Sequence, residues 1–374
     1  MSPSFTLAAA DPSCSARAGV IETGHGPIET PAFAPVASQG SVKALTHRQV
    51  DELGAQLILS NSYHLLLRPG LDVIQAMGGL HAFISWPKPI LTDSGGFQIY
   101  SLSPLAKVKR DGVTFASHLD GTKFFLTPED VVDIQLKLGS DICMVLDYFV
   151  PYPSSDEKVR EAVETTTRWA RRSREHARTF DTRSLLWGIT QGSVDWEARK
   201  KSTEELVDLD LDGYAIGGLG IGEAKTQLHE ILERSTELLP KDKPRYLMGM
   251  GYIQDILEAV ERGVDLFDCV LPTRNARNGT LFTSRGPIVI KNRKYARDER
   301  PIDEECACTT CQNFSRSYLR HLFERKEISS AVLNTIHNLH FYLDNFRKIR
   351  QSIHLKSFNL LKSTILNKIK DGYQ

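Results

Sequence analysis

Eight short apolar runs punctuate the first 270 residues, and nearly every one is followed by an amphipathic stretch of helical period. The runs are PAFAPV (31–36), QLILSN (56–61), PILTD (89–93), DICMVLD (141–147), SLLWGITQ (184–191), GYAIGG (213–218), RYLMGMG (245–251) and DLFDCV (265–270). Each reads as a strand. The intervening helices carry start and stop signals. TPEDVVDIQLKLGS opens with Thr127 and Pro128, places Glu129 and Asp130 in its first turn and ends at Gly139; residues 155–179 and 224–239 read the same way. Eight strand–helix pairs favour an α/β fold of the (β/α)8 TIM-barrel type over an open doubly wound sheet, although periodicity does not show closure. The long gap at 94–126 reads as an extra hairpin around VTFASHLDGTKFFL, with Asp120-Gly121 as its turn.

Past the eighth run the character changes. LFTSRGPIVIKN (281–292) reads as a small hairpin, followed by a cysteine cluster and a helical tail. The expectation is a catalytic barrel with small hairpin insertions over 1–290. Residues 291–374 then form a zinc-binding subdomain and a basic helical tail packed on it. No long linker, repeat or low-complexity tract interrupts the chain.

Composition bounds the class. With 41% hydrophobic and 25% charged residues the chain can bury a core and stay in water. No run approaches the ~18 apolar residues of a membrane span. The first residues, MSPSFTLAAADPSCSARAG, lack the basic start and long apolar stretch of a secretory signal, so a cytoplasmic protein without a membrane partner is expected. Net charge is zero but uneven: residues 291–374 hold 16 Lys and Arg against 9 Asp and Glu, a net of +7. Arg347, Lys348, Arg350, Lys356, Lys362, Lys368 and Lys370 face one acid, Asp371, at the very end. Such an end suggests a polyanion partner, while a solvated helix face is the commoner explanation.

The strand ends are informative. The runs finish in Asn61, Asp93, Asp147, Gln191, Gly217-Gly218, Gly249 and Asp268. In a barrel these ends converge on one mouth, where barrel enzymes do their chemistry. One acid there is most often a helix cap or an ion-pair partner; three acids with a glutamine and a glycine pair are harder to explain so. Ser94-Gly95-Gly96 after Asp93 lets the backbone approach a ligand, and Phe97 is placed to stack on a flat ring. Gly217, Gly218, Gly220 and Gly222 repeat the theme, closed by Glu223. For a planar heterocycle, Asp147 would accept from a ring N–H and an exocyclic amine. Gln191 and the Gly218 N–H would donate to a ring carbonyl, as in the reading of a flipped base. Asp93 and Asp268 would remain for acid–base and nucleophilic work at a glycosidic bond.

Cys306, Cys308 and Cys311 form C-x-C-x-x-C, with His337 26 residues further on. Three thiolates and one imidazole make a closed tetrahedral zinc set, which is structural. His340 and His321 are near enough in sequence to take the fourth place instead. Clustered thiols of this kind fit metal in a reducing compartment better than a disulfide framework.

LTDSGGFQ, DICMVLD…PYP, TQGSV, GYAIGGL-x-x-GE, RYLMGMG, FDCVLPTRNARNG and C-x-C-x-x-C…HNL, spread from about residue 20 to about 345, together resemble the tRNA-guanine transglycosylases (queuine tRNA-ribosyltransferases) of bacterial type. The resemblance implies a zinc-bearing TIM barrel that exchanges guanine at the anticodon wobble position of tRNAs with a G-U-N anticodon for a 7-deazaguanine. It implies Asp268 as the nucleophile on the ribose C1′ and Asp93 as the proton acceptor. Asp93, Ser94, Gly95, Gly96, Phe97, Asp147, Gln191 and Gly218 match the base-binding positions. Gly249, Met250, Gly251, Tyr252, Ile253, Gln254 and Asp255, with Thr273, Arg274, Asn275, Ala276 and Arg277, match the RNA-contacting segments. Cys306, Cys308, Cys311 and His337 match the ligands of one structural Zn2+, and a homodimer is usual. The same fold also serves non-catalytic tRNA-binding subunits, and a sugar glycosidase on this barrel is a third, remoter reading.

Four positions depart from the usual bacterial pattern beside the base: Tyr148 and Phe149 after Asp147, and Gly220 and Ile221 in the glycine loop; Phe97 also stands where tyrosine is common. They leave the incoming base open between 7-aminomethyl-7-deazaguanine and queuine, with a lean to the former. Each such change in a pocket is worth roughly 1–3 kcal/mol of discrimination.

Overall fold

All eight apolar runs form strands of one parallel sheet: β1 (Ala32–Pro35), β2 (Ile58–Asn61), β3 (Ile90–Asp93), β4 (Ile142–Met144), β5 (Leu185–Thr190), β6 (Gly213–Ile216), β7 (Arg245–Leu247) and β8 (Leu266–Cys269). The computed structural model describes residues 4–102 and 106–372. The strand order is β1-β8-β7-β6-β5-β4-β3-β2. A parallel bridge between Val36 and Leu59, backed by Ala37 N–H to Leu59 O at 2.7 Å, joins β1 to β2. That bond closes the sheet into a barrel.

The helices begin and end where their signals say. Thr127 caps Pro128–Leu138 through a reciprocal capping box with Asp130, and Gly139, at φ 79, stops it in the left-handed region that favours glycine. Ser155 caps Asp156–Ala177, and a third helix spans Lys225–Leu238. Register places Trp187 beside Gly213, where an added Cβ would lie 2.5 Å from the indole. Gly213 therefore makes room for the largest side chain of the barrel interior.

Two sheets lie outside the barrel. The hairpin anticipated around Asp120-Gly121 is present as Gly112–Ala116 and Lys123–Leu126, extended by a third strand, Lys107–Lys109. The N-terminal antiparallel sheet Phe5–Ala10, Arg17–Thr23 and Gly26–Thr30 was not expected, because its first strand exposes alanines and shows no clean alternation. Two ties fasten it beneath the barrel. Arg17 binds the buried carboxylate of Asp265 at 2.6 Å. Asp141 accepts from the His25 N–H, His25 Nδ1 and the Ile90 N–H of β3.

After β8 come the short helix Leu271–Arg277 and the expected hairpin, Thr280–Leu281 with Ile288–Val289. The 27-residue helix Ile328–His354 then lies across β1 and the Leu271–Arg277 helix. Its Tyr342 and Phe346 pack on Phe33 of β1 at 5.0 and 5.8 Å, and Phe346 on Phe267 of β8 at 5.5 Å. Aromatic burial of this kind supplies much of the packing energy that fixes β8. The basic tail lies largely on the protein itself. Lys362 bridges Glu258 and Glu261 at 2.7 Å each, Lys368 pairs with Glu305 at 2.6 Å, and Arg347 and Lys348 share Asp344. Arg350 donates to the Pro31 carbonyl at 2.9 Å. These contacts favour a packing role for the tail over a polyanion surface.

Candidate active site and metal centre

Every predicted strand-end residue arrives at the same mouth. Parallel pairing forces this, since the C-terminal ends of all eight strands share one rim. Asn61 and Asp93 are direct register partners on β2 and β3. The Asn61 Oδ1 caps the next helix by accepting from His64 N–H at 3.0 Å, which turns its Nδ2 onto Asp93 Oδ2 in a short hydrogen bond. Asp93 Oδ1 accepts weakly from Ser62 N–H at 3.3 Å. Burial pushes the Asp93 carboxyl up to about 7, against these hydrogen bonds, and the negative charges of Asp268 and Asp147 raise it further.

Asp147 follows β4. Its Oδ1 accepts from Ser94 Oγ at 3.1 Å and its Oδ2 from Gln191 Nε2 at 2.8 Å. Burial lifts it to about 6. A Cβ on Gly96 would lie 2.5 Å from Asp147 Oδ1, and one on Gly95 2.9 Å from Tyr63 Cβ, so both glycines are required by close approach. Gly217 and Gly218 follow β6 and lie against Gln191: a Cβ on Gly218 would be 2.9 Å from Gln191 Oε1. Phe97 stands half exposed at the edge, in T-shaped contact with Phe149 at 5.1 Å; Tyr100 meets Phe149 at the same distance.

Asp268 sits on β8 and pairs with no arginine among the described residues; the buried ion pair in this stretch belongs to Asp265. Asp268 Oδ1 accepts from Tyr246 Oη at 2.6 Å and Gly249 N–H at 2.8 Å. Its Oδ2 has no hydrogen-bond partner among the described residues. Burial raises the Asp268 carboxyl, while the Tyr246 hydroxyl and the Gly249 amide hold it down. Tyr246 and Asn61 are the two site residues that motif reading did not assign. Tyr246 reads as an ordinary strand aromatic: register pairs it with Leu266 of β8, and only the side-chain geometry puts its hydroxyl on Asp268, two residues on.

The RNA-segment residues divide. Tyr252 and Arg274 are exposed on the rim, and Arg277 is exposed with its Nη1 on Thr273 O at 2.7 Å. Met250, Ile253, Thr273 and Ala276 are buried and anchor the two segments. Asp255 is buried too and pairs with Lys225 at 2.7 Å.

The Cys306, Cys308, Cys311 and His337 ligand atoms all lie within 4.8 Å of one another. His337 Nδ1 is 3.6, 3.6 and 3.3 Å from the three sulfurs. Bonds of about 2.3 and ~2.0 Å at tetrahedral angles put sulfur and nitrogen about 3.5 Å apart, so the residues fit a four-coordinate ion. His337 Nε2 lies 2.7 Å from the Phe282 carbonyl, which fixes that nitrogen as the donor and Nδ1 as the ligand. His340 Nδ1 approaches only Cys306, at 3.5 Å, and His321 lies outside the cluster. Next to His337, Asn338 donates to Pro272 O and Thr280 O and accepts from Phe282 N–H. The cysteine–histidine cluster is thereby tied to the segment carrying Arg274 and Arg277. In a second cluster the His25 and His81 imidazoles stack at 3.6 Å and turn Nδ1 and Nε2 onto the two Asp141 carboxylate oxygens, at 2.8 and 3.2 Å.

A family model described as queuine tRNA-ribosyltransferase matches residues 11–371. Among curated relatives, the queuine tRNA-ribosyltransferase of Thermodesulfovibrio yellowstonii is 52% identical over 358 residues, covering 96% of this chain and 94% of the relative. The Aquifex aeolicus protein of the same name is 52% identical over 366 residues, covering 95% and 96%. No helix among the described residues is long and apolar enough to cross a membrane.

Proposed function

The chain belongs to the queuine tRNA-ribosyltransferase family, and we propose that it exchanges guanine at the wobble position of G-U-N-anticodon tRNAs for a 7-deazaguanine. Its chemistry is that of a pentosyltransferase. The observation that carries the mechanism is Asp268: one carboxylate oxygen is held by two donors and the other is free at the mouth. The extruded guanine stacks on Phe97. Asp147 takes the ring N–H and exocyclic amine, and the second Gln191 N–H and the Gly218 N–H meet the carbonyl. Asp268 Oδ2 attacks C1′, the C1′–N9 bond breaks, and its electron pair leaves with the base. Asp93, near 7, gives that base a proton and recovers one from the incoming base, whose N9 then displaces Asp268 from C1′. One glycosidic bond replaces another, so no external energy is needed.

Cys306, Cys308, Cys311 and His337 would hold one Zn2+, which stiffens the fold around the RNA segments and takes no part in the chemistry. The incoming base is the 7-aminomethyl one. What supports the smaller base is Phe149, which packs against Phe97 and Tyr100 and adds aromatic bulk beside the base-binding residues. Competition between the two bases tests this, and incorporation of queuine alone refutes it. On the same reading the enzyme is a cytoplasmic homodimer, an assembly that light scattering measures directly. A tRNA-binding subunit without chemistry would have no use for three converging carboxylates.

Denaturing electrophoresis with cognate tRNA and a base analogue tests the mechanism. A band of RNA bound covalently to protein should form, and should disappear in Asp268→Ala. If Asp268→Ala still labels and Asp93→Ala does not, the two roles are reversed.

A further inference from the structure

Behind the base-reading loops lies a cation with no ion-pair partner among the described residues, although the Glu223 carboxylate acts on it through space. Arg199, on the helix Trp196–Val207, is 0% exposed and makes no ion pair among the described residues. Its Nη1 donates to Gly217 O at 2.9 Å and Thr190 O at 3.2 Å, and its Nη2 to Ser193 O at 2.8 Å. Its Nε has no partner among the described residues. Burial lowers it only to about 10, so it stays cationic at neutral pH. Gly192 permits the approach: at φ 128, a Cβ there would lie 2.5 Å from the Arg199 amide nitrogen. A buried charge without a directly paired counter-ion is costly, and gluing a loop requires only a neutral donor.

The carbonyls it grips suggest what the charge does. Each peptide unit joins one carbonyl to the next residue's N–H. The Thr190 unit ends in the Gln191 N–H, already spent on Ser202 Oγ at 2.9 Å. The Gly217 unit ends in the Gly218 N–H, which has no partner among the described residues and borders the pocket. A cation on the carbonyl draws electrons through the conjugated amide and strengthens its N–H as a donor.

We propose that Arg199 is a positioning residue for base departure: from the Gly217 carbonyl it polarises the Gly217–Gly218 peptide, so that the Gly218 N–H binds more strongly the base carbonyl that becomes electron-rich as C1′–N9 breaks. This rests on the base-binding assignment above. The effect is that of an oxyanion donor backed by a fixed charge.

The test compares guanine with 2-aminopurine, which lacks the ring carbonyl and the adjacent ring N–H but keeps the exocyclic amine. Wild type should bind guanine more tightly; if it does not, the base-binding assignment fails and the proposal falls with it. Given that preference, Arg199→Met should lose about ten-fold in guanine affinity and in kcat, the difference between a charge-backed and an ordinary hydrogen bond. Its KM for tRNA and its affinity for 2-aminopurine should stay within about two-fold, the additivity error for sites that do not interact. Arg199→Lys should recover part of the loss. Equal losses for both bases would mean a loosened loop, and would overturn the proposal while leaving the assignment intact. If neither variant folds, Arg199→Gln, which keeps a neutral donor, is read in the same way: a loss confined to guanine supports the proposal, and an equal loss for both bases refutes it.

Discussion

Replacing Asp93 by an asparagine should stabilise the protein at alkaline pH while abolishing base exchange. The Asp93 carboxyl is held at about 7 in the folded state against 3.8 unfolded, chiefly by burial. Folding therefore binds its proton more tightly. Stability from this group is complete below 3.8 and declines as pH rises to about 7, where the buried carboxylate must ionise. Between about pH 5 and 8 the decline spans roughly two pKa units, or about 2.7 kcal/mol at about 1.36 kcal/mol per unit. Coupling to Asp147 and Asp268 spreads the titration, so about 2 kcal/mol is the better expectation. The amide introduced by Asp93→Asn never ionises, and its carbonyl still accepts from Asn61. Against an unfolding entropy of about 2.1 cal/mol/K per residue, 374 residues convert each kcal/mol into roughly 1.3 °C of Tm. The Asp93→Asn variant should therefore gain about 2–3 °C more in Tm over wild type at about pH 8 than at about pH 5. The assay is differential scanning calorimetry at matched ionic strength, beside a wild-type pH–rate profile for exchange. The alkaline limb of that profile, where Asp93 loses the proton it must give to the leaving base, should fall near the pH where the two Tm curves part. A Tm difference that does not change across that pH range, or exchange that does not decline as pH rises through about 7, would refute the account of Asp93.

Tyr246→Phe leaves the Gly249 amide as the remaining donor to Asp268 Oδ1; the lost charge-assisted bond, about 1.5–3 kcal/mol, should slow formation of the covalent intermediate about ten- to hundred-fold in single-turnover assays, with the acid limb moved up. Metal analysis should find one zinc per chain, none in His337→Ala and one in His340→Ala; a chelator should lower Tm and weaken tRNA binding together, because Asn338 links the site to the Leu271–Arg277 helix. Arg274→Ala should weaken tRNA binding and reduce the slope of log K against log salt by about 0.7–0.9, whereas a change in affinity without a change in slope would exclude a phosphate contact.

Much of the fold was legible because barrel elements advertise themselves locally. Eight apolar runs and their capped helices are properties of neighbouring residues, and all eight became barrel strands within one to three residues at most ends. The N-terminal sheet was hidden because its hold on the molecule comes from distant partners, Arg17 on Asp265 and His25 on Asp141. The candidate site was legible as a set of strand ends, since parallel pairing carries every such end to one rim.

The sequence by itself determined the alternation of elements, the residues at the mouth and the thiolate triplet. Each is encoded by spacing along the chain, which local periodicity and ligand chemistry can read. Tertiary structure alone decided which of these residues meet, and in what state. It gave Arg17 to Asp265 and left Asp268 free, because residues three apart on a strand near the barrel floor and rim face different surroundings. It chose His337 over His340, because only His337 both faces all three sulfurs and finds the Phe282 carbonyl with its other nitrogen. It raised Asp93 to about 7 and placed Arg199, with no ion pair among the described residues, behind Gly218. Burial and charge–charge distance set those properties, and both are fixed by residues tens to hundreds of positions away.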